Sequence, residues 1–277
     1  MIFLSMIKMT FKEVFGNIPL IWTVARYTNK ASFGRHYFGM IWEFLNPLIQ
    51  IAIWGFVFGA IRNRQPVFVG ENPVPFIPWM LVGMTIWLFM NRATTGGALS
   101  VQKQIKLVSK MQFPVSILPA MDMASKLTSY FFLLGITVVI LFMNGIFPTI
   151  HWLGFFYYFV SMLIFIYFFA LLNSTITMLF RDYHNLLKPM MRLFFFFSGP
   201  LWRMQEMSAI PRWFIRLMDL TPFSYIITGL RHSFFGSGIF RENWLITTAS
   251  FWLIVLLLAL VGSHYHYKYK ARFIDLA

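Results

Sequence analysis

The stretch from residue 152 to residue 180 reads WLGFFYYFVSMLIFIYFFALLNSTITMLF and contains no charged residue. A helix that crosses the hydrocarbon core of a bilayer needs about 20 mostly apolar residues, so this stretch is long enough to cross. Its apolar side chains occupy every side of a helix, which leaves no polar face for water. The stretch therefore predicts a transmembrane helix.

The rest of the chain has the same character. Of its 277 residues, 58% are hydrophobic and only 12% are charged, and the mean hydropathy is +0.67. This is too little polar surface to cover a water-soluble globule. The absence of cysteine excludes a disulfide scaffold, a thiolate zinc site, an iron–sulfur cluster and a cysteine nucleophile. We expect an all-α integral membrane protein.

Apolar runs of sufficient length predict six transmembrane helices. The fifth of these runs, Leu186–Trp202, is imperfect, because Lys188, Pro189 and Arg192 lie at its start. The six predicted spans are Ile41–Ile61, Phe76–Leu99, Leu127–Met143, Trp152–Phe180, Leu186–Trp202 and Trp244–Val261.

The positions of Lys and Arg predict the orientation of these spans. With the amino terminus inside, 15 of these residues fall in inner segments and 7 in outer ones, while Arg92 lies within the second span. Cytoplasmic loops retain positive charge, so both termini are predicted to be cytoplasmic. The formal charge of +14 could suggest nucleic acid, but charges that lie between apolar runs favour a membrane and no nucleic acid partner.

Arg92 has two interpretations. An arginine within a span is costly unless it faces a partner, water or headgroups. It could therefore face a polar interior, or its long side chain could extend to the inner interface.

The chain is predicted to form one membrane domain, residues 41–277, after an interfacial segment, residues 1–40. Residues 1–40 alternate basic and aromatic side chains at helical spacing, which favours an amphipathic helix at the inner interface, kinked at Pro19. Residues 101–126 form a cytoplasmic loop in which Gln102 to Ser109 has an amphipathic helical pattern. Residues 199–243 are predicted to form an extracellular re-entrant region, because Pro222–Phe235 would extend only about 20 Å as a helix.

Motifs for catalysis are absent from the sequence. Gly34 and Gly39 have the spacing of a phosphate-binding loop, but Met40 stands where that loop needs lysine. His264 and His266 could be metal ligands, although their aromatic and basic surroundings favour an interfacial belt. We expect no catalytic residue, no metal and no cofactor in this chain.

Five segments, in order along the chain, carry a resemblance to a known family. They are Ser32–Pro47, Val74–Trp79, Leu107–Pro119, Phe180–Asp182 and Ser198–Phe223. Together they resemble the membrane subunits of ABC-2-type exporters, which move lipid-linked polysaccharides and teichoic acids. Two of these sequences, Trp42–Pro47 and Val108–Pro114, are most similar to those of the wall teichoic acid permeases of Gram-positive bacteria. The O-antigen and capsule permeases are the alternative.

The resemblance implies a type V exporter fold that works as a homodimer in a bacterial plasma membrane, with two copies of a separate cytoplasmic ATPase. ATP and Mg²⁺ would then bind the partner. The resemblance also implies that part of the cytoplasmic loop docks on the ATPase, although the same helix could lie on lipid headgroups. The residues expected to couple are Gln102, Lys103, Ile105, Lys106, Val108 and Ser109.

The resemblance further implies sites for a polyprenyl diphosphate-linked polymer. Diphosphate contacts are expected at Arg26, Lys30 and Arg35, which could equally bind anionic lipids. Aromatic channel walls are expected at Trp42, Trp79, Trp87 and Phe89, and an outer gate at Arg203, Arg212 and Arg216. A membrane enzyme acting on a lipid-linked glycan, or a channel or drug exporter, remains a rival hypothesis.

Overall fold

The computed structural model describes residues 2–33, 41–61, 66–70, 72–108, 114–180, 182–202, 211–236, 244–271 and 273. Within these ranges the chain forms ten α-helices, one 3₁₀ turn at Ile150–Trp152 and one antiparallel hairpin. The helices are α1 (Ile2–Gly16), α2 (Ile18–Phe33), α3 (Ile41–Ile61), α4 (Phe76–Val108), α5 (Ile117–Met143), α6 (Leu153–Leu179), α7 (Tyr183–Ser198), α8 (Arg212–Asp219), α9 (Pro222–Phe235) and α10 (Trp244–Tyr269), and the strands are β1 (Val67–Val69) and β2 (Asn72–Val74).

Helix α4 lies at the centre of the bundle. It packs against α5 and α6 over much of its length, and against α3, α7 and α9 over shorter stretches. At its crossing with α6, a methyl group placed on Gly97 would lie 2.7 Å from the Cβ of Ala170. Because that separation is well below ordinary carbon–carbon contact, only glycine allows the two helices to approach so closely.

Among the described residues, three helices are long and apolar enough to cross a membrane. They are α5, α6 together with its leading 3₁₀ turn (Ile150–Leu179), and α10, of 27, 30 and 26 residues. This finding agrees with the predicted third, fourth and sixth spans. Helices also form at the other three predicted spans, but their crossing of the membrane stays a prediction.

Two of these helices, α4 and α7, differ from the three apolar helices in composition or in length. Helix α4 has 33 residues, of which the carboxyl-terminal part is polar, and α7 has 16 residues, or about 24 Å. Helix α4 also continues through Val108, so no break separates the predicted amphipathic helix from the second span. Residues 99–108 contain no proline or glycine that would end it.

The amino-terminal segment forms two helices, α1 and α2, and the break between them is at Asn17. The sequence predicted a single helix kinked at Pro19, two residues later. Helix α1 packs on α10, and α2 packs on α5. Ser116 and Tyr267 both donate hydrogen bonds to Oε2 of Glu13, the second over 2.7 Å. This cluster joins α1 to the start of α5 and to the end of α10.

The region between α7 and α10 contains two short helices, α8 and α9. Gly199 follows the last residue of α7 and Gly236 follows the last residue of α9, both with left-handed backbone (φ of 68° and 69°) that glycine adopts without strain. Helix α9 is almost wholly buried against α4 and α6, and a methyl group on Gly229 would overlap the ring of Tyr158. Whether this region is re-entrant in a membrane stays a prediction.

Candidate functional site

A cavity of about 880 Å³ lies between α2, α3, α4, α5 and α7. Its volume falls within the range of about 300–1,000 Å³ that is usual for ligand pockets. The walls combine aromatic and cationic side chains with neutral polar ones. The aromatic side chains are Trp54, Trp87, Phe195 and Phe196. The basic side chains are Arg92, Lys103, Lys126, His184, Lys188 and Arg192.

Two facing helices supply most of this lining. On each of them one row of lining residues recurs at every fourth position, and residues four apart lie on one helix face, a turn above one another. On α4 this row is Trp87, Asn91, Thr95, Leu99 and Lys103, with Arg92 and Gly96 beside it. On α7 the row is His184, Lys188, Arg192 and Phe196, with Met191 and Phe195 beside it. Each helix therefore turns one continuous face toward the cavity.

One end of the cavity is aromatic. The ring centroid of Trp87 lies 5.5 Å from that of Phe195, which in turn lies 6.3 Å from the centroid of Trp54. Trp87 also packs on Phe223 of α9 at 5.7 Å and is only 4% exposed. This end forms a rigid apolar surface, fixed by its packing.

The other end is cationic. Lys103 lies sixteen residues beyond Trp87 on α4, or about 24 Å along the helix axis. His184, just before the predicted fifth span, faces this end, where burial lowers its pKa below the usual range and the charges of Lys188 and then Lys103 lower it further. Among the described residues that line the cavity, none is acidic. This end is therefore suited to an anion.

A buried carboxyl group lies directly behind the α4 wall. The side chain of Asp122 fills the space beside Gly96, where a methyl group would overlap its Oδ2 atom and lie 3.0 Å from its Cγ. Oδ2 is buried and has no hydrogen-bond partner among the described residues. Burial raises the pKa of this carboxyl above its usual range, and the charges of Lys126 and then Lys103 oppose that rise.

A buried arginine joins the helices beyond the aromatic end. Arg231 of α9 is 5% exposed, and its guanidinium lies 3.4 Å from the ring centroid of Trp79. It donates hydrogen bonds to the backbone oxygens of Trp79 (3.2 Å), Gly199 (2.8 Å) and Pro200 (2.6 Å). One side chain thereby ties the start of α4 to the carbonyl end of α7, where a cation also complements the helix dipole.

The predicted channel aromatics occupy different environments. Trp87 lines the cavity, whereas Trp79 is buried beneath Arg231 in the small pocket near the β-hairpin. Phe89 packs against Tyr130 at 4.9 Å, and Trp42 is 43% exposed on α3. Their contact with a cargo stays a prediction.

The predicted diphosphate residues do not line the cavity where they are described. Arg26 and Lys30 are exposed on α2, while Thr28 and Asn29 between them reach the cavity. Arg35 lies outside the described residues. Their role in binding a diphosphate or an anionic lipid stays a prediction.

The remaining predicted residues that the structure describes belong to α4 and α8. Lys103 lines the cavity, and Gln102 is half-buried beside it. The backbone of Ile105, Lys106 and Val108 continues α4, and Ser109 lies outside the described residues. Arg212 and Arg216 are exposed on α8, and Arg203 is outside the described residues.

Sequence reasoning missed several cavity residues: Trp54, Lys126, Lys188, Arg192 and Phe195. Lys188 and Arg192 gave a signal, since two cations four residues apart in an apolar run must face something polar. Among the described residues, no group of three or more histidine, aspartate or glutamate side chains is placed to hold a metal ion.

Comparison with known proteins gives a family and several relatives. The family described as ABC-2 type transporter matches residues 19–235. An O-antigen export system permease protein RfbA of Myxococcus xanthus is 24% identical over 202 residues, which cover 72% of this chain and 75% of the relative. An O-antigen export system permease protein RfbA of Klebsiella pneumoniae is 22% identical over 249 residues, or 89% of this chain and 90% of the relative. The family match spans α2 to α9, and so includes every helix that lines the cavity.

Proposed function

We propose, from the premise that this chain belongs to the ABC-2 type transporter family, that it is the permease subunit for a polyprenyl diphosphate-linked polysaccharide of the O-antigen type. The family assignment makes it a transport subunit of an exporter in a membrane. The cargo is the proposed part, and it is supported by the names of the relatives and by the lining of the cavity.

The observation that carries the proposal is the division of one cavity into an aromatic end and a cationic end. Sugar rings present C–H faces that pack on aromatic rings, while their hydroxyl groups need polar neighbours, which Gln50, Asn91 and Thr95 supply. A phosphate group binds lysine and arginine through charge-assisted hydrogen bonds. A glycan joined to a lipid through a diphosphate contains both features in one molecule.

The size of the cavity indicates how such a cargo is held. A volume of about 880 Å³ accommodates a headgroup and a few sugar units, but not a whole polysaccharide. The polymer would therefore pass through the site in sequence. We propose that the site is completed by a second copy of the chain, and that a cytoplasmic ATPase supplies the energy.

Wall teichoic acid is a second candidate for the cargo. It is favoured by the wording of Trp42–Pro47 and Val108–Pro114, as the sequence predicted. The two candidates differ in charge, because a teichoic acid repeats a phosphate in every unit and a neutral O-antigen glycan does not. The names of the relatives favour the O-antigen type.

The test uses the full chain reconstituted in lipid nanodiscs with its partner ATPase. We expect polyprenyl diphosphate carrying a neutral glycan to stimulate ATP hydrolysis more than the same lipid without sugar. Trp87→Ala should reduce the apparent affinity for the glycan lipid by about two- to tenfold, the value of one aromatic contact. Trp87→Phe should retain most of it.

The matched control is Trp252→Ala, which removes a partly exposed tryptophan of α10 that does not line the cavity. Stimulation by a teichoic acid lipid alone would favour the second candidate. Equal stimulation by sugar-free lipid, together with no effect of Trp87→Ala, would show that the cargo is not a glycan.

A further inference from the structure

Three lysines from three different helices meet at one end of the cavity. Lys103 is on α4, Lys126 on α5 and Lys188 on α7. Arg192 follows Lys188 by one turn on the same face of α7, about 6 Å farther from the cationic end. Like charges brought together from separate helices repel one another, and an anion bound between them relieves that repulsion.

The bundle already holds one carboxyl group that can supply this charge, Asp122. Its carboxyl group lies against the backbone of α4 at Gly96, on the side of the wall where Lys126 and Lys103 act on it. Burying an oxygen without a hydrogen-bond partner among the described residues costs free energy. The charges of half-buried Lys126 and exposed Lys103 offset part of that cost.

We propose that Lys103, Lys126, Lys188 and Arg192 form a diphosphate site and that Asp122 is its internal counterion, which competes with the ligand for Lys103 and Lys126. The inference rests on the proposed function and deepens it, since it assigns the part of the cargo that this end of the cavity holds.

The charges favour a diphosphate over a single phosphate. A diphosphate that links a lipid to a sugar carries about two negative charges, one on each phosphate, whereas a phosphodiester headgroup carries about one. Four cations opposed by one carboxylate leave an excess of three positive charges, to which two negative charges are a closer match than one. Lysine offers a compact ammonium group with three donors, which suits neighbouring phosphate oxygens from several directions.

This site differs from the one the sequence predicted at Arg26 and Lys30. Those side chains are exposed on α2 and do not line the cavity. The cavity cations differ in that three helices bring them to one concave surface, where several can contact the same anion at once; Lys103, Lys188 and Arg192 are themselves exposed there, and Lys126 is half-buried.

The test measures binding of inorganic pyrophosphate to the purified full chain in nanodiscs of zwitterionic lipid, by calorimetry at low salt. We expect pyrophosphate to bind at least tenfold more tightly than inorganic phosphate. The double variant Lys126→Gln with Lys188→Gln should weaken pyrophosphate binding at least tenfold. Asp122→Asn should tighten it several-fold, because the competing charge is removed while the shape is kept.

Lys12→Gln, on an exposed part of α1, is the matched control and should leave binding unchanged. The proposal is overturned if Arg26→Gln with Lys30→Gln abolishes binding while the cavity lysines do not affect it, or if Asp122→Asn weakens binding. Phosphatidylglycerol in the nanodisc that displaces pyrophosphate fully would show a lipid-headgroup site instead.

The outcomes separate this inference from the proposed function. Pyrophosphate binding requires neither the ATPase nor a glycan, so its failure alongside normal glycan-stimulated ATP hydrolysis would remove only the diphosphate site. Thermal unfolding of every variant identifies those that do not fold. If Asp122→Asn is one of them, the lysine variants still decide the outcome.

Discussion

Replacing Gly83 with alanine tests whether Arg231 holds α4, α7 and α9 together. The glycine lies on α4 directly beneath the guanidinium. A methyl group there would overlap Nη2 of Arg231 and lie 2.8 Å from both its Cζ and the carbonyl oxygen of Pro200. Ordinary contact distances are about 3.5–4.0 Å, so the guanidinium must retreat by roughly 1 Å.

The expected loss of stability follows from the contacts that this retreat breaks. The hydrogen bond from Nη2 of Arg231 to Pro200 is 2.6 Å long, and a hydrogen bond to a charged group contributes about 1.5–3 kcal/mol. Weakening the contact with Trp79 removes up to about 2 kcal/mol more. Because alanine has a higher helix propensity than glycine, the substitution also stabilises the helix by about 0.5–1 kcal/mol. We expect a net loss of about 2–4 kcal/mol for Gly83→Ala.

The assay is thermal unfolding of the purified chain in detergent at one scan rate, followed by tryptophan fluorescence. A loss of this size lowers Tm by about 5–10 °C. The matched control is Gly135→Ala on α5, where an added methyl group meets no atom within 4 Å. That variant should unfold at the Tm of the parent chain or slightly above it.

Measuring Gly83→Ala in a second variant, Arg231→Lys, tests whether the loss of stability depends on Arg231. In Arg231→Lys the planar guanidinium is absent, so adding Gly83→Ala should cost much less than it does in the parent chain. If Gly83→Ala unfolds within about 1 °C of Gly135→Ala, the proposed seating of Arg231 against α4 is wrong.

Two further predictions concern the predicted cytoplasmic end. Lys106→Glu combined with Val108→Asp should lower ATP turnover or assembly of the complex with the ATPase, whereas Lys268→Glu should not; normal turnover with both changes contradicts docking at this helix end. Glu13→Gln should weaken the charge-assisted hydrogen bond from Tyr267, by about 1–2 kcal/mol, and so speed hydrogen exchange in α1. Unchanged exchange in α1 would show that this cluster does not anchor the helix.

The apolar pattern was enough to predict where the helices lie. Residues 152–180 are apolar on every side, and α6 with its leading turn occupies nearly the same range. Pro222 and Gly236 bound α9 as turn-forming residues should. These features depend on local sequence alone, which is why they could be read without a structure.

The contacts between distant parts of the chain could not be predicted in this way. Arg231 was one of five outer arginines, and nothing in its neighbourhood indicated that it would bond to the carbonyl oxygen of Gly199, 32 residues earlier. Similarly, Asp122 meets Gly96 only because α4 and α5 pack side by side. Which cations converge depends on helix rotation and packing, which single-sequence periodicity does not define.

Arg92 shows how the structure bears on two interpretations that the sequence left open. The side chain lines the cavity between the aromatic and cationic ends. The free-energy cost of placing its charge within a span is therefore offset by the polar lining of the cavity, in agreement with a polar interior. The choice between an O-antigen and a teichoic acid cargo is different, because it depends on chemistry beyond the headgroup.

The unbroken course of α4 has a mechanical consequence. Its 33 residues form a single rod about 50 Å long, which is longer than the hydrocarbon core of about 30 Å. Arg231 holds this helix near one end. A rotation of α4 by about 5° about that end moves the other end sideways by about 4 Å. Lys103 lies close to that other end of α4. A force applied there would therefore change the width of the cavity at its cationic end, while the aromatic end stayed nearly still.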